Sequence, residues 1–103
     1  MEYQLVIQFP AEKIEDFESL VKFEDSLIKI IGTSAEVDGH DFGSGEANIF
    51  IITPNPASTF ALIKKKLASN GMLKQCLVAH RELQGEKYSV IWPEGFSGKF
   101  KVK

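Results

Sequence analysis

Four residues with the capacity for chemistry lie close together around a glycine-rich turn: Asp38, His40, Asp41 and Glu46. A histidine among several carboxylates could act in a general acid–base pair or bind a divalent ion. Asp38 and His40 are two residues apart on a predicted strand, so their side chains are expected to share a face. A strong metal site needs three or four ligands and this run holds one histidine, so we expect neither a metal nor a cofactor. The alternative is a polar hairpin whose charges keep an edge strand soluble.

Two further kinds of site are excluded by their sequence context. Gly39, Gly43 and Gly45 join two predicted strands and do not open a helix, as a phosphate-binding loop must. Cys76 is the single cysteine and stands in the apolar run Cys76-Leu-Val-Ala, which predicts a buried, inert thiol. The sequence contains no nucleophile elbow, paired-cysteine motif or P-loop, and we expect no catalytic residues.

A second group of candidates lies on two predicted strands near the C-terminus. His80 and Arg81 are adjacent and should point to opposite faces, with His80 able to approach the face away from the helices. Arg81 could grip the carboxylate of a partner, or form a cross-strand ion pair with an acid such as Glu86. Tyr88 and Trp92 are four residues apart on the last full strand and should share one aromatic face. Such a stripe is either an interaction surface or core beneath the C-terminal tail.

Apolar periodicity divides the first half of the chain into a strand, a helix and a hairpin. Residues 3–9 are nearly continuously apolar, as in a central strand, and Pro10 ends them. Residues 11–31 have helical spacing, but the apolar face is interrupted at Phe23-Glu-Asp-Ser26, which suits a kink or a break. Residues 34–41 and 46–53 predict a hairpin whose first strand is polar enough for a sheet edge.

The second half predicts a helix followed by another hairpin. Asn55 suits an N-cap and Pro56 the first helical position, and the helix should run to about Ser69 and end at Asn70-Gly71. Residues 73–83 and 87–92 are predicted strands joined by a turn, and Pro93 stops the second. Residues 99–102 could add a short last strand.

The order β-α-β-β-α-β with an additional C-terminal strand predicts a single α+β domain, residues 1–103, of the ferredoxin-like type. The sheet should be antiparallel, with both helices on one face. The first and third strands should be central and the second an edge. Two helices leave the other face of a five-stranded sheet open, and such faces are often closed by pairing, so a homodimer is plausible.

Charge is divided unevenly along the chain, whose net charge is -2. Residues 1–50 hold eleven acidic and three basic residues, a net charge of -8, whereas residues 51–103 hold three acidic and nine basic ones, a net charge of +6. Such halves either complement each other within the molecule or attract partners of opposite sign. The basic stretches Lys64–Lys66 and Lys99–Lys103 are too short to predict nucleic-acid binding. No apolar run is long enough to cross a bilayer, and we expect no membrane partner.

The run Asp38-Gly-His-Asp-Phe-Gly-Ser-Gly-Glu-Ala-Asn-Ile-Phe-Ile51, with Trp92-Pro93 closing the last strand, resembles a group of small bacterial proteins of unassigned function. Some members of such groups look like immunity proteins encoded beside toxins. The resemblance implies a cytosolic bacterial protein that acts by binding, and it carries over no site residues. A lone cysteine is in keeping with the reducing cytoplasm.

These observations together predict a small non-enzymatic binding domain. It would mask a basic partner protein with its acidic half, or meet a copy of itself through the open sheet face. The alternative is a small-ligand or metal-binding enzyme that uses Asp38, His40, Asp41 and Glu46. Convergence of those four side chains on a concavity would favour the alternative.

Overall fold

A computed structural model of the chain describes residues 2–10, 12, 17–43, 45–96, 98, 100 and 102. Those residues form two α-helices and five strands: β1 (Tyr3–Pro10), α1 (Phe17–Ile31), β2 (Glu36–Gly43), β3 (Glu46–Thr53), α2 (Pro56–Ser69), β4 (Leu77–Glu82) and β5 (Ser89–Trp92). The predicted α+β class is confirmed. Neither of the two helices is long and apolar enough to span a membrane.

The five strands form one antiparallel sheet in the order β2-β3-β1-β4-β5. β1 lies at the centre, because residues 5–9 are apolar enough to be buried from both sides. β2 lies at an edge, as its polarity predicts. β5 pairs with the outer side of β4, so the order differs from that of the classic four-stranded ferredoxin-like sheet.

Both helices pack on the same face of the sheet. Leu5 and Ile7 of β1 form one buried cluster with Leu27 of α1 and Ile63 of α2, and all four are 0% exposed. This cluster is the core, and it fixes which side chains of each strand point toward the helices. The residues that alternate with them point to the other face.

The face away from the helices is not open at its centre, contrary to the prediction. Val6 of β1 and Ala79 of β4 point to this face and are both 0% exposed. Near the edge of the face, the Tyr88 hydroxyl donates to Gln4 Oε1 at 3.0 Å, and the Phe100 ring centre lies 4.9 Å from that of Tyr88. Phe100 therefore lies on this face beside Tyr88, and the apolar centre at Val6 and Ala79 is shielded from solvent.

The helices show where local sequence signals decide the structure. α2 begins at Pro56 as predicted, and the Asn55 side chain accepts a hydrogen bond from the Ser58 amide at 3.1 Å. α1 runs unbroken from Phe17 to Ile31, so a break into two helices at Phe23-Glu-Asp-Ser26 is wrong. Except for Glu12, the predicted helical residues 11–16 lie outside the described residues.

The strand predicted from residue 73 begins only at Leu77. Leu73–Gln75 forms a 3-10 helix instead. The carbonyl of Leu73 accepts hydrogen bonds from Trp92 Nε1 at 2.8 Å and from the Cys76 thiol at 3.5 Å. This carbonyl is therefore bonded to side chains and not to the backbone of a neighbouring strand. Of the predicted last strand, Phe100 and Val102 are not in a strand, and the residues beside them lie outside the described part.

Candidate functional site

His40 is held in a contact between β2 and α1. It lies opposite Ile49 of β3 and therefore points to the helix face. Its Nδ1 lies 3.0 and 3.1 Å from the two carboxylate oxygens of Glu24, whose side chain is only 12% exposed. Sequence analysis missed Glu24, although the signal was present in the interrupted apolar face of the helix. A carboxylate on the inner side of a helix requires a partner, and His40 is that partner.

Asp38 and Asp41 are exposed on β2 and do not join His40. The pairing of β2 with β3 shifts register at Asp38, so the alternation that would place Asp38 beside His40 is broken there. Asp41 lies opposite Asn48 and points away from the helices. Within the described residues, neither carboxylate has a hydrogen bond or an ion pair.

Glu46 lies at the start of β3, at the end of the sheet where β1 stops. It is opposite Pro10 and on the face away from the helices, so it does not meet His40. In the part of the chain that the structure describes, no three His, Cys, Asp or Glu residues are grouped as metal ligands. The four hairpin candidates therefore do not converge, and their geometry gives no support to a metal or acid–base centre.

His80 points toward the helices, and the prediction that it approaches the opposite face is wrong. It lies opposite Leu5 of the core, and its ring makes an edge contact with Tyr3 at 5.8 Å between centroids. Its Nδ1 is buried and has no hydrogen-bond partner among the described residues. Three strand spacings, about 14 Å, separate β4 from β2, so His80 and His40 are not neighbours.

Arg81 fixes the turn between β4 and β5. Its Nη1 donates to three backbone carbonyls at 3.0–3.1 Å, those of Glu82, Leu83 and Gly85. Its Nε lies 3.4 Å from the Tyr88 hydroxyl. The predicted ion pair with Glu86 is not formed within the described residues. Arg81 therefore uses its Nε and Nη1 as internal hydrogen-bond donors.

Trp92 and Tyr88 lie on opposite faces, so the predicted aromatic stripe is wrong. The pairing of β4 with β5 shifts register before Trp92, which lies opposite Val78 of the core. Lys64 Nζ of α2 lies 4.6 Å from the centre of the Trp92 ring, a cation–π contact on the helix side. Tyr88 contacts Gln4 on the other face. A single bulged residue is enough to send the two rings in opposite directions.

Cys76 is buried, as predicted, with 3% of its surface exposed. Burial raises the pKa of its thiol from 9.0 to about 11. The thiolate, which is the reactive form, is therefore scarce at neutral pH.

The outer side of β2 is the strongest recognition feature that this geometry offers. We call it the acidic edge: the eight-residue strand Glu36–Gly43, with exposed carboxylates at Glu36, Asp38 and Asp41. Among the described strands, β2 pairs with β3 alone, so its other side has no strand neighbour. No lysine of α2 forms an ion pair with a carboxylate of α1 in the described residues. Among the described residues, ion pairs between the two helices therefore do not account for the uneven charge.

Comparisons with protein-family models, with curated proteins and with solved structures gave no match to this chain.

Proposed function

We propose that this chain is a non-enzymatic binding domain whose acidic edge takes up a basic segment of a partner protein. The observation that carries the proposal is the acidic edge itself. It is a full-length strand with a strand neighbour on one side only among the described residues, and it bears three exposed carboxylates. An extended segment that added to this side would form backbone hydrogen bonds with β2.

The carboxylates determine which segments the edge would accept. Glu36, Asp38 and Asp41 would repel a second copy of the same edge, because like charges placed side by side destabilise a strand pair. The same charges would attract lysine and arginine side chains and speed their encounter with the edge. The edge therefore disfavours self-pairing and favours a basic partner, and homodimerisation becomes an alternative outcome of the tests.

We also propose that the fold is a ferredoxin-like sheet extended by β5. Two observations support this: both helices pack on one face, and β1 is central with β3 beside it. The resemblance to small bacterial immunity-like proteins suggests a specific version of the function, in which the acidic edge masks a basic toxin. A cytoplasmic location would suit this role and the single, buried Cys76.

The test is calorimetric titration of the protein with a peptide of alternating lysine and valine, about as long as β2. We expect binding that weakens as salt is raised, because exposed charges are screened. A peptide of alternating glutamate and valine should not bind, and neither should a lysine–valine peptide interrupted by proline, which cannot pair as a strand.

Charge-reversal variants locate the site. Asp38→Lys/Asp41→Lys should weaken binding of the lysine–valine peptide by at least about tenfold. The matched control, Glu86→Lys/Glu94→Lys, makes the same change in net charge at exposed positions away from β2 and should have a much smaller effect. Equal losses in both variants, or the absence of binding by the wild type, would overturn the proposal.

A further inference from the structure

We propose that the acidic edge selects an extended segment of a partner protein that is basic on one face and apolar on the other. Two basic residues of that segment lie four positions apart, and an apolar residue follows the basic residue that meets Asp41. This selectivity rests on the function proposed above, because it specifies the segment that the same strand takes up. The directions of the β2 side chains determine the pattern.

The pairing of β2 with β3 places two carboxylates of the acidic edge on one face. Glu36 lies opposite Ile52, and Asp41 lies opposite Asn48. Ile52 and Asn48 alternate with core residues of β3 such as Ile51, so they point away from the helices. Residues opposite each other share a face of the sheet. The side chains of Glu36 and Asp41 are therefore both on the face away from the helices.

A bulge at Asp38 makes this arrangement possible. Glu36 and Asp41 are five residues apart, and strict alternation would send them to opposite faces. The register shift between Val37 and Gly39 gives β2 one extra residue, so the two carboxylates lie opposite residues of β3 that are only four apart. Four positions of a regular strand span about 14 Å. A partner strand would therefore meet both carboxylates with basic residues at positions i and i+4.

Gly39 lies between these two carboxylates on the same face, opposite Phe50. A Cβ added at Gly39 would meet no atom within 4 Å, so the space beside this glycine is open. The partner residue halfway between the two basic residues would lie next to this space. Its side chain can therefore be of any size, and the pattern leaves this position unrestricted.

The helix-side face of β2 is apolar where it is most exposed. Phe42 lies opposite Ala47 of the core and therefore points to the helix side, yet 39% of its surface is exposed. Val37 lies opposite Ile51 on the same face and is half-buried. An apolar partner residue next to the one that meets Asp41 would cover the Phe42 ring, and aromatic–aliphatic pairs of this kind stabilise neighbouring strands. Phe42 is therefore the residue that selects for an apolar face.

Two capped hexapeptides of identical composition test the spacing. In Lys-Val-Ser-Val-Lys-Val the lysines are four positions apart and share a face, whereas in Lys-Val-Ser-Lys-Val-Val they are three apart and lie on opposite faces. We expect the first peptide to bind at least about fivefold more tightly than the second, in titrations followed by the amide NMR signals of residues 36–43. Equal affinities of the two peptides would overturn the inference.

A variant of Phe42 tests the apolar face. Phe42→Thr should weaken binding of Lys-Val-Ser-Val-Lys-Val by at least about threefold. The control Leu83→Thr removes an apolar side chain of 40% exposure away from β2 and should leave the affinity unchanged. The peptide Lys-Val-Ser-Val-Lys-Ser lacks the residue that would cover the ring, so it should bind Phe42→Thr and the wild type equally. The same loss of affinity for both peptides in Phe42→Thr would contradict the role of this ring.

Failure of the selectivity and failure of the proposed function give different results. A wild-type protein that binds the longer lysine–valine peptide but does not discriminate between the two isomeric hexapeptides takes up basic segments without the predicted pattern. That result would overturn the selectivity alone. A wild-type protein that does not bind the lysine–valine peptide would overturn the proposed function itself.

Discussion

His40, Arg81 and Trp92 are the side chains whose chemistry stands out in the sequence, and each has polar atoms engaged within the fold. They bond to a carboxylate of α1, to the carbonyls of a turn and to the carbonyl of Leu73, respectively. Most polar groups that a fold removes from water are hydrogen-bonded, although His80 Nδ1 and Glu46 Oε1 are buried without such a partner among the described residues. Asp38 and Asp41, by contrast, remain exposed to solvent.

Cys76 provides a test at the scale of a single residue. Because burial raises the pKa of its thiol from 9.0 to about 11, the thiolate fraction at pH 8 falls by about 100-fold. We expect iodoacetamide to alkylate Cys76 in the native protein at least about 100-fold more slowly than in urea, as measured by mass spectrometry. Similar rates in both states would show that the thiol is accessible.

The same pKa shift predicts how stability depends on alkaline pH. The folded state keeps the thiol protonated up to about pH 11, whereas the unfolded state releases the proton near pH 9.0. The contribution of Cys76 to stability is therefore fully present below pH 9.0 and is lost as the pH rises toward 11. In a Cys76→Ala variant this part of the alkaline decline should be absent.

Between elements, the contact of His40 with Glu24 joins the edge strand β2 to α1. His40→Ala would leave a carboxylate that is 12% exposed without this partner, and should lower the free energy of unfolding by about 1–3 kcal/mol. Replacing both residues by leucine should recover most of the loss, because the unpaired charge is then absent. Urea unfolding with unchanged slope is the measurement.

The exposed pair of Lys22 with Glu18 is the control for that prediction. Its atoms lie 3.8 Å apart, but both side chains are more than 70% exposed, at 76% and 77%. Replacing Lys22 by alanine should therefore change the unfolding midpoint very little. A His40→Ala variant that unfolds at the wild-type midpoint would show that the contact does not hold β2 to α1.

The elements also show what sequence can and cannot predict. The start of α2 is a local event, in which Asn55 caps the Ser58 amide and Pro56 fits the first turn, so it was predictable. The face of Trp92 was not, because it depends on one bulged residue between distant strands. Glu24 interrupts the apolar pattern of α1 but the helix continues through it. The reason was not visible in the local sequence, because the partner of Glu24 is His40, sixteen residues away on β2.

At the scale of the whole molecule, the sheet has two unlike edges. β2 forms one edge and carries exposed carboxylates. β5 forms the other edge, where the Trp92 ring makes a cation–π contact with Lys64. The acidic first half and the basic second half of the chain form no ion pair between α1 and α2 in the described residues. Such an arrangement leaves the field of the acidic edge available to steer a basic partner.

The central claim is that β2 is where a basic segment adds to the sheet. Amide hydrogen exchange with and without the lysine–valine peptide tests this most directly, because exchange reports hydrogen bonding strand by strand. We predict that the peptide slows exchange at the outward-facing amides of residues 36–43 and leaves those of residues 89–92 unchanged. Protection at β5 instead, or no protection on β2 while the peptide is bound, would contradict the account.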